Sequence, residues 1–160
     1  MIRENMQDAL NEQINHEFYS AYVYTAMSAY FSSKNLNGFA NWMRVQAQEE
    51  LQHAMRVYDF LVDRDGEIEL QDIKCPPKSW DSPLAAFQKA KENETELSAR
   101  INDLVDLSLE VRDHATNTFL QWFVSEQVEE EAAVNEIIDT LKLVGDDGNG
   151  LFLVDRDLAQ

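Results

Sequence analysis

Four long stretches in which apolar residues recur at alternating spacings of three and four constrain the fold of this chain more than any other feature. That period marks an amphipathic helix, and the stretches fall at about residues 4–33, 39–64, 82–112 and 114–144. With only five Gly and three Pro in 160 residues, there is too little turn chemistry for a loop-rich or all-β protein, so the expected class is all-α. The length fits one domain over residues 1–160, and the 44% apolar content is enough to fill its core.

The connections set the topology. Asn35, Asn37 and Gly38 leave so little chain between the first two helices that these must be antiparallel neighbours. Residues 65–82, with Cys75-Pro76-Pro77 among them, show no helical period and are longer than most connections in compact domains. A helix of this size is roughly 40 Å long, and an extended linker of this length reaches about 59 Å. The linker can therefore cross the bundle lengthwise, which makes the second and third helices parallel. Ser82-Pro83 supplies an N-cap and a first-turn proline for the third helix. "GDDGNG" at 145–150 stops the fourth helix, and "LFLVDRDLAQ" after it reads as a short terminal helix expected to pack on a neighbouring subunit. The expected architecture is a four-helix bundle with one long crossover between the second and third helices plus a short C-terminal helix.

Each inward stripe is broken once by a carboxylate. The first runs Leu10, Ile14, Glu17, Ala21, Tyr24, Ser28, Phe31, and the second Met43, Ala47, Glu50, Ala54, Val57, Leu61, with His53 beside Glu50. The third runs Phe87, Ala90, Glu94, Leu97, Ile101, Leu104, and the fourth Phe119, Phe123, Gln127, Glu130, Val134, Ile137, Leu141. All four glutamates lie near mid-helix, so packing helices of similar length brings them to one height. A lone Glu in an apolar stripe is commonly an edge residue whose carboxylate reaches solvent, but four at matching height require a common cause. Buried uncompensated carboxylates are costly and repel one another. No inward Lys or Arg balances them, and His53 is the one inward nitrogen ligand. A pair of metal ions fits, and carboxylates with one imidazole suit iron or manganese, whereas structural zinc favours thiolates or more histidines.

Several classes are excluded. A formal charge of −17 opposes nucleic-acid binding, which needs clustered cations. No stretch approaches the roughly 18 apolar residues of a membrane span. The first 20 residues carry charges where a signal peptide needs an apolar run, and the single Cys75 has no internal disulfide partner, so the expected location is cytoplasmic.

The motifs "LNEQINHEFYSAYVY", "QEELQHA", "FLQWFVSEQVEEE" and "GLFLVDRDL" together resemble the ferritins, specifically the haem-free bacterial and archaeal type, over nearly the whole chain. The resemblance implies a shell of twenty-four subunits that oxidises Fe²⁺ with O₂ or H₂O₂ at an intrasubunit di-iron centre and stores Fe³⁺ mineral inside. By that resemblance one iron takes Glu17, Glu50 and His53, and Glu50 bridges to a second iron held by Glu94 and Glu130, with Gln127 and Tyr24 beside the pair. Glu49, Glu126 and Glu129, with Glu130, match residues that similar bacterial ferritins use for a third iron site.

Departures narrow the resemblance. Bacterioferritins repeat Glu-x-x-His in the fourth helix, where this chain has Gln127-x-x-Glu130, and their haem methionine falls where Leu51 stands, so no haem is expected. Rubrerythrin-like proteins need a cysteine-rich iron domain that one cysteine cannot supply. His16 and His114 lie off the inward stripes and read as surface or interface residues. Two rival readings remain: a di-iron carboxylate oxidase or oxygenase without iron storage, for which Tyr24, Trp122 and Phe123 leave little evident substrate room, and a helical scaffold without metal.

Overall fold

The computed structural model describes residues 1–160 and contains five helices and no strand: α1 (Glu4–Ser33), α2 (Asn37–Asp63), α3 (Pro83–Glu110), α4 (His114–Val144) and α5 (Gly148–Leu158). The expected bundle and terminal helix are both present. The turn from α1 to α2 is closed by Asn35, which takes a left-handed φ of 59°, a conformation that Asn tolerates better than most residues. Ser82 caps α3 as its sequence implied, with Oγ accepting from the Ala85 amide at 3.0 Å and Pro83 following it.

α3 ends at Glu110, two residues short of the expected Arg112, because Arg112 turns to φ 57° and Asp113 caps the next helix. The Asp113 carboxylate accepts from the Thr116 amide at 3.0 Å and its hydroxyl at 2.8 Å. It also pairs with Arg64 at 3.0 Å, which ties the end of α2 to the start of α4.

The linker does cross lengthwise. At its start the Glu67 amide donates to Gln7 Oε1 and the Glu69 amide to Asn11 Oδ1, both near the beginning of α1. At its end the Trp80 ring lies edge-on to Tyr30, near the end of α1, with centroids 5.5 Å apart. α2 and α3 are accordingly parallel. No helix is long and apolar enough to cross a membrane.

The core is split. One apolar cluster includes Tyr24, Met27, Phe31, Phe39, Met43, Phe87 and Val134, and the other Met6, Leu10, Ile14, Val57, Leu61, Ile101 and Phe123. Between them in the sequence of every helix stand the buried residues Glu17, Glu50 with His53, Glu94, and Gln127 with Glu130. The fourth stripe needs one correction: Leu120, not Phe119, is fully buried. Phe119 lies half-buried and stacks on Phe60 with ring centroids 4.1 Å apart.

α5 packs Leu151, Val154 and Leu158 onto its own chain. Asp155 Oδ1 accepts from the Phe39 amide at 2.9 Å. Gly38 permits the approach, because a Cβ there would lie 1.6 Å from the Asp155 carbonyl oxygen. Phe152 and Leu153 face outward.

Candidate metal centre

Glu17, Glu50 and Glu94 have no exposed surface, His53 is 3% and Glu130 5% exposed, and no Lys or Arg is buried anywhere in the chain. One stripe position on each of four helices thus delivers a carboxylate to a common layer, and helix α2 adds the imidazole one turn on. Ligand atoms of Glu17, Glu50 and His53 lie within 4.8 Å of one another, and so do those of Glu50, Glu94 and Glu130. Glu50 belongs to both groups.

Hydrogen bonding divides these residues sharply. Glu94 is fully engaged: Tyr24 Oη donates to Oε1 at 2.6 Å and Gln127 Nε2 to Oε2 at 3.1 Å. Gln127 Nε2 also lies 3.2 Å from the Glu94 carbonyl oxygen and 3.1 Å from Ser98 Oγ. Glu17 is half engaged, with Gln13 Nε2 donating to Oε1 at 3.0 Å. Glu17 Oε2, both oxygens of Glu50 and His53 Nδ1 have no hydrogen-bond partner. His53 Nδ1 stands 3.8 Å from Glu17 Oε2 and 3.7 Å from Glu50 Oε1, too far for hydrogen bonds. Its ring is set edge-on against Trp122 and Phe123, with centroids 5.4 and 5.9 Å away.

Buried polar atoms are ordinarily paired, and this many orphaned acceptors around one point lack a positive charge. The titration behaviour agrees. Burial, then the Glu17 charge, holds the Glu50 carboxyl well above its ordinary range. Burial raises Glu94 against the opposing bonds from Tyr24 and Gln127. Burial, with the charges of Glu94, Glu49 and Glu126, pushes Glu130 up to about 9. For His53 burial works downward, but the nearby negative charges of Glu17 and Glu126 outweigh it and the net shift is upward. Each shift has the sign that a bound divalent cation would reverse. Carboxylates with a single imidazole form a hard donor set that fits iron or manganese.

The outer acids separate. Glu126 is half-buried, with Oε1 3.8 Å from His53 Nε2, and forms a third ligand group with His53 and Glu130. Glu49 is half-buried beside Glu130. Glu129 is exposed and lies outside all three groups. His16 is half-buried between α1 and α3, and His114 is exposed at the start of α4. Sequence reasoning missed Gln13 and Ser98. Each stands four residues from an inward glutamate, one helical turn away on the same face, and that spacing was the available signal.

The chain is similar along its whole length to known proteins. The model of the ferritin-like domain family matches residues 7–144. The bacterial non-heme ferritin of Bacteroides fragilis is 41% identical over 160 residues, covering 100% of this chain and 99% of the relative. That of Staphylococcus aureus is 37% identical over 159 residues, covering 99% and 96%. Among solved structures, an open pore ferritin from the hyperthermophilic archaeon Archaeoglobus fulgidus superposes with a TM-score of 0.98 at 50% identity, covering 99% of this chain and 98% of that one. A humanized archaeal ferritin gives 0.98 at 52%, covering 99% and 96%.

Proposed function

This chain belongs to the ferritin family, and from that premise we propose that it takes Fe²⁺ as its substrate, oxidises it with O₂ or H₂O₂ in the carboxylate layer, and stores the Fe³⁺ product as mineral inside a hollow homo-oligomeric shell of twenty-four subunits. The whole of residues 1–160 acts as one ferritin-like domain, working in the cytoplasm. One Fe²⁺ is held by Glu17, Glu50 and His53, and a second by Glu50, Glu94 and Glu130. Gln127 and Tyr24 hold Glu94 in place. Glu126 and Glu49, with Glu130 and joined by Glu129 from the exposed face of α4, form the third site through which product iron leaves.

The observation that carries this reading is Glu50, fully buried with neither oxygen hydrogen-bonded and a member of both inner ligand groups. A carboxylate in that state is suited to bridge two cations. Four carboxylates match the charge of two Fe²⁺, and the same oxygen-rich, anionic pocket favours Fe³⁺ over Fe²⁺, which makes oxidation downhill. Two adjacent ions can give up two electrons together, so the oxidant need not leave as a one-electron radical.

Aerobic addition of Fe²⁺ followed by size-exclusion chromatography with iron assay tests the proposal. Iron far in excess of two per chain, eluting with an assembled shell, is the expected result. Uptake that stops near two per chain would favour an oxidase or oxygenase without storage, and no uptake would leave a scaffold.

A further inference from the structure

We propose that Gln13 is a positioning residue for the metal centre: its side-chain amide pins one oxygen of Glu17, so that the other is presented to His53 and to the first cation. This rests on the proposed use of Glu17 as a ligand.

Gln13 lies one turn before Glu17 on the same face of α1, is 2% exposed, and donates Nε2–H to Glu17 Oε1 at 3.0 Å. Glu17 Oε2 has no partner and points toward His53 Nδ1 at 3.8 Å. The two oxygens of Glu17 therefore have separate tasks. The terminal torsion of a glutamate is broad and nearly two-fold, so a carboxylate with no donor could turn freely and offer the cation either oxygen at many angles. Gln13 is the one hydrogen-bond donor that restrains it. A neutral amide suits the task, because a Lys or Arg at the same place would cancel the negative charge that attracts the cation. Glu50 provides the contrast, since it has no such donor on either oxygen and remains free to bridge.

Gln13 also lines a surface depression of about 170 Å³ between α1 and α3, together with Glu12, His16, Arg100 and Asp103. Changing Gln13 therefore alters the layer between this depression and Glu17, outside both apolar clusters.

Titrating the metal-free, full-length protein with Co²⁺, followed by its d–d absorption, tests the proposal without any oxidation step. In Gln13→Leu and Gln13→Met the first Co²⁺ should bind about tenfold more weakly, as is usual when a residue that orients a metal ligand is lost, and its absorption band should change in intensity. In a Glu17→Ala background the same replacements should cause no further loss, because the effect of Gln13 runs through Glu17. Wild-type affinity and spectrum in both variants would overturn the proposal. So would a loss of equal size in the Glu17→Ala background, which would make the effect one of general structure. If the unaltered protein bound no Co²⁺ with Glu17 present, the metal-centre reading itself would fail, a result distinct from either of these.

Discussion

Tyr24 Oη donates to Glu94 Oε1 at 2.6 Å across the interface of α1 and α3, with both residues buried. The bond joins the apolar cluster around Phe31 and Phe87 to the carboxylate layer, and it works against the burial that raises the Glu94 carboxyl. Tyr24→Phe removes the donor and leaves a buried acceptor unmet, at a cost of roughly 1–3 kcal/mol. Urea unfolding of the metal-free protein should show that loss, and an unchanged midpoint would mean that the bond carries no net stability.

Glu50 behaves in the opposite sense. Both of its oxygens are buried without partners, so in the metal-free state it opposes folding. Glu50→Leu should raise metal-free stability by about 1–3 kcal/mol while eliminating joint occupancy of the two cation positions. Thermal melts with and without Co²⁺ read both effects. A less stable metal-free variant would show that Glu50 has a compensating partner.

Stability should depend on pH in a direction unusual for an acidic protein. Glu50, Glu94 and Glu130 have raised values in the folded chain, the last of about 9 against an ordinary 4.5. Between those limits the folded state keeps protons that the unfolded state releases, so the contribution of these groups to metal-free stability is fully present only below pH 4.5 and declines as pH rises toward 9. Bound divalent cation should reverse the slope, because it competes with those protons. Asp113 acts oppositely: its bonds to Arg64 and Thr116, overcoming burial, hold it below its ordinary value, so its contribution is lost only in acid. Denaturant titrations at pH 5.5 and 8.5, repeated on Glu130→Gln, check this. The variant should give the flatter profile, and equal slopes would refute the assignment.

His53→Ala removes the only nitrogen ligand of the inner groups. The fast phase of Fe²⁺ oxidation should fall by about a hundredfold or more, a loss at least as large as that usual for residues supporting a metal ligand, with assembly intact. Stopped-flow absorbance with size-exclusion chromatography measures both quantities. Wild-type rates would place the oxidation elsewhere.

Glu49 and Glu126 are half-buried beside Glu130 and His53. Glu49→Ala and Glu126→Ala should spare the first oxidation of two irons per chain but change the oxygen consumed per iron and the recovery before a second addition. Sequential additions in an oxygen electrode follow these values. If stoichiometry and recovery match wild type in both, these residues are ordinary acidic surface.

Much of the fold was legible because helical period is a local property. The bounds of α1 and α4 coincide with the expected ones, and every residue of the first three inward stripes is buried. The slip at Phe119 has a plain cause: residues three and four before Phe123 both satisfy a 3.6-residue period, and apolarity alone does not choose between Phe119 and Leu120. The placement of α5 was hidden because it depends on Gly38, far away in sequence, having no side chain. In the centre, the inward glutamates announced themselves by interrupting apolar stripes. Gln13 and Ser98 did not, since which polar side chain meets which oxygen is settled by packing between helices.

The lengthwise linker also fixes where the chain ends emerge. Four long helices and one crossover make five traverses of the bundle, an odd number, so Met1 and Gln160 lie at opposite ends. α1 alone, with 30 residues, spans about 45 Å. A circular permutant joining Gln160 to Met1 would need roughly 14 extended residues to make a sixth traverse. By the same parity, guest domains fused to the two termini would be held a full bundle length apart, and donor and acceptor dyes placed there would report the bundle's length.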